Sequence, residues 1–201
     1  MDIQQKNNLA QRVAQDIPEG SYVNLGIGLP TLVADYFTDK EVILQSENGV
    51  LGQWTQEKKG KENWDLINAG KEAIDLKKGG AFFHHADSFG MMRGGHLDYC
   101  ILGAFQISAN GDLANWHTAH PDAIPAVGGA MDLASGAQNV YVMMEHLTKQ
   151  GQSKILEECS YPLTGLACVN RVYTEIATFE FIKGQVFVID IVSPHTPEYI
   201  Q

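Results

Sequence analysis

A series of short apolar runs, each stopping at a glycine or a polar turn, constrains this chain more than any other feature. Tyr22 to Leu25 runs into Gly26-Ile27-Gly28-Leu29-Pro30, and Val42 to Gln45 into Ser46-Glu47-Asn48-Gly49. Asp98 to Gly103, Val140 to Met144 and Val186 to Val192 are built the same way, and Ala81 to Phe83 is a shorter version. Short apolar runs of this kind fit strands that are covered on both faces. Between them lie segments at helical spacing. Leu9, Ala10, Val13, Ala14 and Ile17 predict an N-terminal amphipathic helix, ended by Pro18 and Gly20. Leu32 to Tyr36, Ser88 to Arg93, Met131 to Ala137 and Cys168 to Ile176 predict further helical stretches. Strands alternating with helices predict an α/β fold, an open and largely parallel sheet with helices on both faces. Asn110-Gly111-Asp112 and Lys183-Gly184 add short hairpins. Residues 53–63, QWTQEKKGKEN, read as a solvated, lysine-rich loop. No repeat or linker divides the 201 residues, so 1–201 is read as a single domain.

Charge narrows the partners. The formal net charge of −10 argues against nucleic acid and means that an anionic substrate needs donors placed locally. The opening stretch MDIQQKNNLAQRVAQDI has no apolar core of the signal-peptide kind, and no run approaches the length of a membrane span. Cys100, Cys159 and Cys168 are odd in number and have no paired spacing, which fits buried, reduced thiols. These features together predict a cytoplasmic protein without membrane contact.

Ligands of an open α/β sheet gather outside the carboxyl ends of its strands. Gly26 and Gly28 stand at one such end and could let a phosphate approach the backbone. A dinucleotide fingerprint would need glycine at Thr31, however, and a tight strand-to-helix turn reads at least as well. Glu47 stands at another end, beside Asn48 and Gly49, where a carboxylate could serve as a covalent nucleophile or be a plain loop acid. Gly128-Gly129-Ala130-Met131-Asp132 could aim backbone N–H groups at an oxyanion, or form a flexible turn with Asp132 favoured by the helix dipole. His84, His85, His96, His117 and His120, the last two with Asp122, match no strong metal-ligand spacing, so no metal is expected. Asp87, Asp98, Asp112, Asp132 and Glu145 compete with Glu47 as acids, and Glu145 follows an apolar strand of its own.

Taken in order, YVNLGIGLPTLVADY, LQSENGVLG, DLINAGK, ADSFGMMRGGHLD, ILGAFQIS, GDLANW, GGAMDLASGA, VMMEHLTKQGQSKIL and CSYPLTGLACVNRVYT closely resemble the B subunit of the 3-oxoacid CoA transferases. The resemblance runs from about Tyr22 to Thr174. Within it GGAFFHHADSF, ANWHT and IPAVGGAMDL resemble the branch acting on 3-oxoadipate, which serves aromatic-compound breakdown through the β-ketoadipate pathway. The chain departs from the family at Gly52-Gln53-Trp54, where a glycine- and proline-rich stretch is common, and a shortened terminal element is expected after Ile191.

The resemblance implies the open α/β sheet shared with sugar-phosphate isomerase-like proteins. It implies Glu47 as the nucleophile and Gly128 as an oxyanion N–H donor, with Gly129 and Asn48 beside the substrate. It also implies an A-type partner chain, in a heterodimer or heterotetramer, that supplies a second donor. Coenzyme A would be a co-substrate rather than a resident cofactor, and CoA would pass from succinyl-CoA to 3-oxoadipate through a glutamyl-CoA thioester. A dicarboxylate entering an acidic protein needs an anchor, for which His84, His85, Arg93 and His117 are the candidates. The alternatives are transfer to acetoacetate or another short 3-oxoacid, acyl-CoA hydrolysis, and a non-catalytic α/β binding subunit.

Overall fold

The computed structural model describes residues 1–37, 40–56, 60–120, 122–126 and 128–200. In chain order its strands are β1 (Tyr22–Leu25), β2 (Ile43–Ser46), β3 (Val50–Gln56), β4 (Ile74–Phe82), β5 (Tyr99–Leu102) and β6 (Gln106–Ser108). Then follow β7 (Leu113–Ala114), β8 (Asn139–Met143), β9 (Ile155–Leu156), β10 (Val169–Tyr173), β11 (Ala177–Ile182) and β12 (Gln185–Ile191). The helices are α1 (Ile3–Asp16), α2 (His85–Arg93), α3 (Ala130–Gly136) and α4 (Pro197–Ile200), with a 3-10 helix at Leu29–Tyr36.

Nine strands form one sheet in the order β12-β11-β10-β8-β5-β1-β2-β3-β4. The five central strands, β10-β8-β5-β1-β2, are parallel. An antiparallel pair extends each edge, β3 and β4 at one end and β11 and β12 at the other. Both hairpin signals are borne out: Asn110-Gly111-Asp112 joins β6 to β7 and Lys183-Gly184 joins β11 to β12. A second, small sheet has the order β7-β6-β9.

The central strands alternate their side chains between two buried layers, as the period of two requires. Cys100, Leu102, Val140, Val142 and Val172 pack with Met92 of α2 and Leu133 of α3. Val23, Leu44, Ile101, Tyr141, Met143 and Tyr173 pack on the other face with α1 and the 3-10 helix. Each fully buried aliphatic side chain contributes roughly 1.5–3 kcal/mol relative to exposure. Helix α1 opens with a capping box, in which Gln5 N donates to Asp2 Oδ1 and Asp2 N to Gln5 Oε1, both at 2.8 Å. At its other end the Lys40 ammonium donates to the carbonyls of Ala14, Gln15 and Ile17 at 2.9, 2.9 and 3.0 Å, satisfying oxygens that the helix leaves unpaired.

Three expectations are corrected. Cys168 to Ile176 is not helical; Val169–Tyr173 is strand β10, paired parallel to β8 on one side and antiparallel to β11 on the other. Its valines are β-branched and suited to a sheet, and its partners are remote in sequence. Residues 53–56 are not loop but the end of β3, paired with β4; Gly52, at φ 81°, allows the close approach to Gly80. Residues 57–59 of the expected loop lie outside the described residues. The cysteines are free, Cys100 buried and Cys159 and Cys168 half-buried, so full burial holds for the first alone.

Candidate active site

From β1 the chain turns to β2 on one side and later places β5, β8 and β10 on the other. The loops leaving β1 and β5 therefore diverge, and a crevice opens outside the carboxyl ends. A cavity of about 780 Å³ occupies this place. Leu25 to Leu29 after β1, Ser46 and Glu47 at β2, Leu102 to Phe105 after β5 and Met143 to Glu145 at β8 all line it, and Gly128 to Ala130 contribute one wall.

Glu47 is held by a tight turn. Gly49 N donates to Ser46 O at 3.0 Å, and Gly49 has φ 105°, a conformation glycine adopts without strain. A Cβ at Gly49 would also overlap the carbonyl oxygen of Phe83, whose own N–H donates to Gly49 O at 3.0 Å. The half-buried Glu47 carboxylate faces the opposite wall. A Cβ on Gly129 would overlap Glu47 Oε2 and would stand 3.5 Å from Phe89 Cζ, so the missing side chain lets carboxylate, backbone and ring meet. Gly128 lies in the same wall, and among the described residues a Cβ on it would meet nothing within 4 Å.

A buried polar chain supports the turn from below. Asn24 Nδ2 donates to Gln45 Oε1 at 2.5 Å, Gln45 Nε2 donates to Ser88 Oγ at 2.6 Å, and Ser88 Oγ donates to Ser46 O at 3.5 Å. Ser46 Oγ in turn accepts from Ala69 N at 2.9 Å. Asn24, Gln45, Ser46 and Ser88 are all buried. This set ties β1, β2 and α2 together immediately behind Glu47.

The structure gathers Glu47, Gly128, Gly129, Gly26 and Gly28 into one cavity. It places the other candidates elsewhere. The exposed Asn48 donates through Nδ2 to Ile67 O at 2.8 Å. His84 caps α2, its Nδ1 accepting from Ala86 N at 3.1 Å. His85 packs on Phe89 with centroids 4.9 Å apart. Arg93 Nε pairs with Asp132 Oδ1 at 2.6 Å, clasping α2 to α3. His117 accepts from Ala119 N at 3.0 Å, and His120 likewise from Asp122 N at 3.2 Å. None of His84, His85, Arg93 and His117 lines the cavity.

Among the competing acids, Asp98 accepts from Tyr22 N at the opposite end of the sheet, Asp112 holds the β6–β7 turn through Ser108, and Asp132 is taken by Arg93. Asp87 lies in the exposed first turn of α2. Glu145 does line the cavity, and the Met1 amino group donates to it at 2.6 Å, which holds its carboxyl below the ordinary value. Lys6, Lys154 and Asn115 also line the cavity, and sequence patterns alone do not single them out. Asn115 sits in the ANW segment, but nothing in the sequence places Lys154 next to β5.

A family model described as Coenzyme A transferase matches residues 6–200. The B subunit of the 3-oxoadipate CoA-transferase of Pseudomonas putida is 63% identical over 186 residues, covering 92% of this chain and 87% of that protein. The B subunit of the succinyl-CoA:3-ketoacid coenzyme A transferase of Helicobacter pylori is 49% identical over 183 residues, covering 91% and 88%. Among solved structures, the acyl-CoA transferase apoenzyme of Escherichia coli O157:H7 aligns with a TM-score of 0.75 at 18% identity, a likeness of fold alone. That alignment takes in 98% of this chain but 40% of the Escherichia coli chain.

Proposed function

The chain belongs to the coenzyme A transferase family, and from that premise we propose that it is the catalytic, B-type subunit of an enzyme that moves CoA from succinyl-CoA to 3-oxoadipate. The observation that carries the reading is the contact of the Glu47 carboxylate with the Gly129 backbone, in one cavity with Gly128. The acceptor is taken from the similarity to the Pseudomonas putida protein. The A-type partner is inferred because both relatives are named as B subunits.

Glu47 attacks the thioester carbonyl of succinyl-CoA. The tetrahedral oxyanion collapses, the C–S bond breaks, and a mixed anhydride and CoA thiolate result. The thiolate attacks the glutamyl carbonyl of the anhydride, the anhydride C–O bond breaks, and succinate leaves. A glutamyl-CoA thioester remains. The carboxylate of 3-oxoadipate then attacks this thioester, thiolate departs, and its return to the new acyl carbonyl gives 3-oxoadipyl-CoA and restores Glu47. The electron pairs balance at each step without a net proton transfer.

A carboxylate displacing a thiolate makes the first step uphill, and binding of the distant parts of CoA offsets it. Each tetrahedral species places negative charge on oxygen, and the Gly128 N–H is the donor proposed for it. A donor of this kind contributes about 3–4 kcal/mol to the transition state in other acyl-transfer enzymes. The anhydride and thioester must also be kept from water. The aliphatic walls from Leu25, Leu29, Leu32 and Leu102 suit that need.

The test is to co-express the chain with its A-type partner and compare CoA transfer from succinyl-CoA to 3-oxoadipate and to acetoacetate. Preference for 3-oxoadipate supports the reading. Preference for acetoacetate keeps the chemistry at Glu47 and changes the acceptor. Release of free thiol with no acid present would mark a hydrolase.

A further inference from the structure

We propose that Lys154 anchors the distal carboxylate of the acyl group and so selects dicarboxylates over monocarboxylate oxoacids, an inference that rests on the CoA-transfer reading of the same cavity. Lys154 precedes β9, and its backbone N–H donates to His146 O at 3.0 Å. Its ammonium crosses to the carboxyl end of β5, where it donates to Ala104 O at 3.3 Å. In the sheet β5 stands two places from β2, a lateral distance of roughly 10 Å. Glu47 and Lys154 therefore line the same cavity from different strand ends.

The wall suits such an acyl group. Leu25, Leu29, Leu102 and Met143 are apolar lining that a short carbon chain can lie along. An ammonium carries three donors, and among the described residues Lys154 makes one side-chain hydrogen bond, to Ala104, and no salt bridge. Donors are thus left for a carboxylate. Burial pushes the ammonium below its ordinary pKa, although Glu145 and Glu175 pull the other way. The group is partly desolvated, and an ion pair formed there is screened less than one on the surface. Lys6 is the other lysine of the cavity, but it comes from α1, and among the described residues its side chain makes no hydrogen bond to a strand end.

The experiment uses the paired enzyme and three substrates: succinyl-CoA, 3-oxoadipate and acetoacetate. In a two-stage exchange each substrate's kcat/KM reports its own half-reaction. Lys154→Gln should lower kcat/KM for succinyl-CoA and 3-oxoadipate roughly 10- to 100-fold, mainly through KM, the loss expected for one charge-assisted hydrogen bond. The value for acetoacetate should stay within about twofold. If Lys154→Gln does not fold, Lys154→Met keeps the aliphatic stem and carries the same expectation. An equal loss on all three substrates, or no loss on any, overturns the proposal. A wild-type complex that transfers CoA to neither acid contradicts the transferase reading itself.

Discussion

At the scale of single residues the placement of Glu47 depends on a side chain that is absent. Gly129 gives the Glu47 carboxylate a place against the backbone, and a Cβ there would overlap Oε2. Because the overlapped atom is the end of a flexible side chain, Gly129→Ala should leave the fold near wild-type stability and move the carboxylate instead. A displacement of about 1 Å at a reacting group costs on the order of 100-fold in rate. Gly129→Ala should therefore lower kcat by about that factor with an unchanged melting temperature. Gly128→Ala meets nothing within 4 Å among the described residues and should cost clearly less. Steady-state kinetics and thermal unfolding of the two variants decide this, and equal losses from both would contradict it. The positions of Glu47, Gly128 and Gly129, though not the roles proposed for them, which come from the family resemblance, were legible in the sequence because each follows an apolar strand or opens a helix. Lys154 was not, because its place beside Ala104 depends on a crossing between segments 50 residues apart.

At the scale of elements the polar chain from Asn24 through Gln45 and Ser88 to Ser46 decides how firmly the turn carrying Glu47 is held. Polar groups buried this deeply cost about 1–3 kcal/mol each when a partner is removed. Gln45→Leu removes one partner from Asn24 Nδ2, which keeps its 3.2 Å bond to the Gln45 carbonyl, and one from Ser88 Oγ, which keeps the longer bond to Ser46 O, and should destabilise the protein by about 1–2 kcal/mol in urea unfolding. A loss below about 0.5 kcal/mol would mean that the chain is not a support. The clue was present in sequence, since Asn24 and Gln45 interrupt otherwise apolar strands, yet which residues they meet is set by strand order. The same reason explains β10. In Cys168 to Ile176 the β-branched Val169 and Val172 suit a strand, but the pairing that fixes it comes from β8 and β11, which lie outside the segment. By contrast α1 was readable outright, because the spacing of its apolar residues and the Pro18-Gly20 stop are local.

At the scale of the whole molecule, charge and burial set the response to pH. His146 is buried, its ring is stacked on Phe179 at 5.6 Å, and its Nδ1 has no hydrogen-bond partner among the described residues. Desolvation lowers its pKa from 6.5, with Glu175 opposing and His195 assisting. An unfolded chain takes up a proton as pH falls through about 6.5, whereas the folded chain does so only at lower pH. Stability is therefore lost as pH falls from that value through the folded pKa, and His146 adds no pH dependence well above it. His146→Phe preserves the stack and should flatten this part of the acid profile, measured by urea unfolding between pH 7.5 and 5; parallel profiles in both proteins would contradict the assignment. The net charge of −10 sets the problem that the cavity must solve, because an anionic acyl-CoA is repelled overall and held only by local donors. The central claim is that CoA passes through a covalent bond to Glu47. The most direct measurement is the intact mass of this chain after the paired enzyme meets succinyl-CoA without an acceptor. The expected result is a gain of one CoA less one water, mapped to Glu47 by peptide fragmentation and lost in Glu47→Ala. An unmodified chain in a complex that still transfers CoA, or an adduct on any other residue, would contradict it.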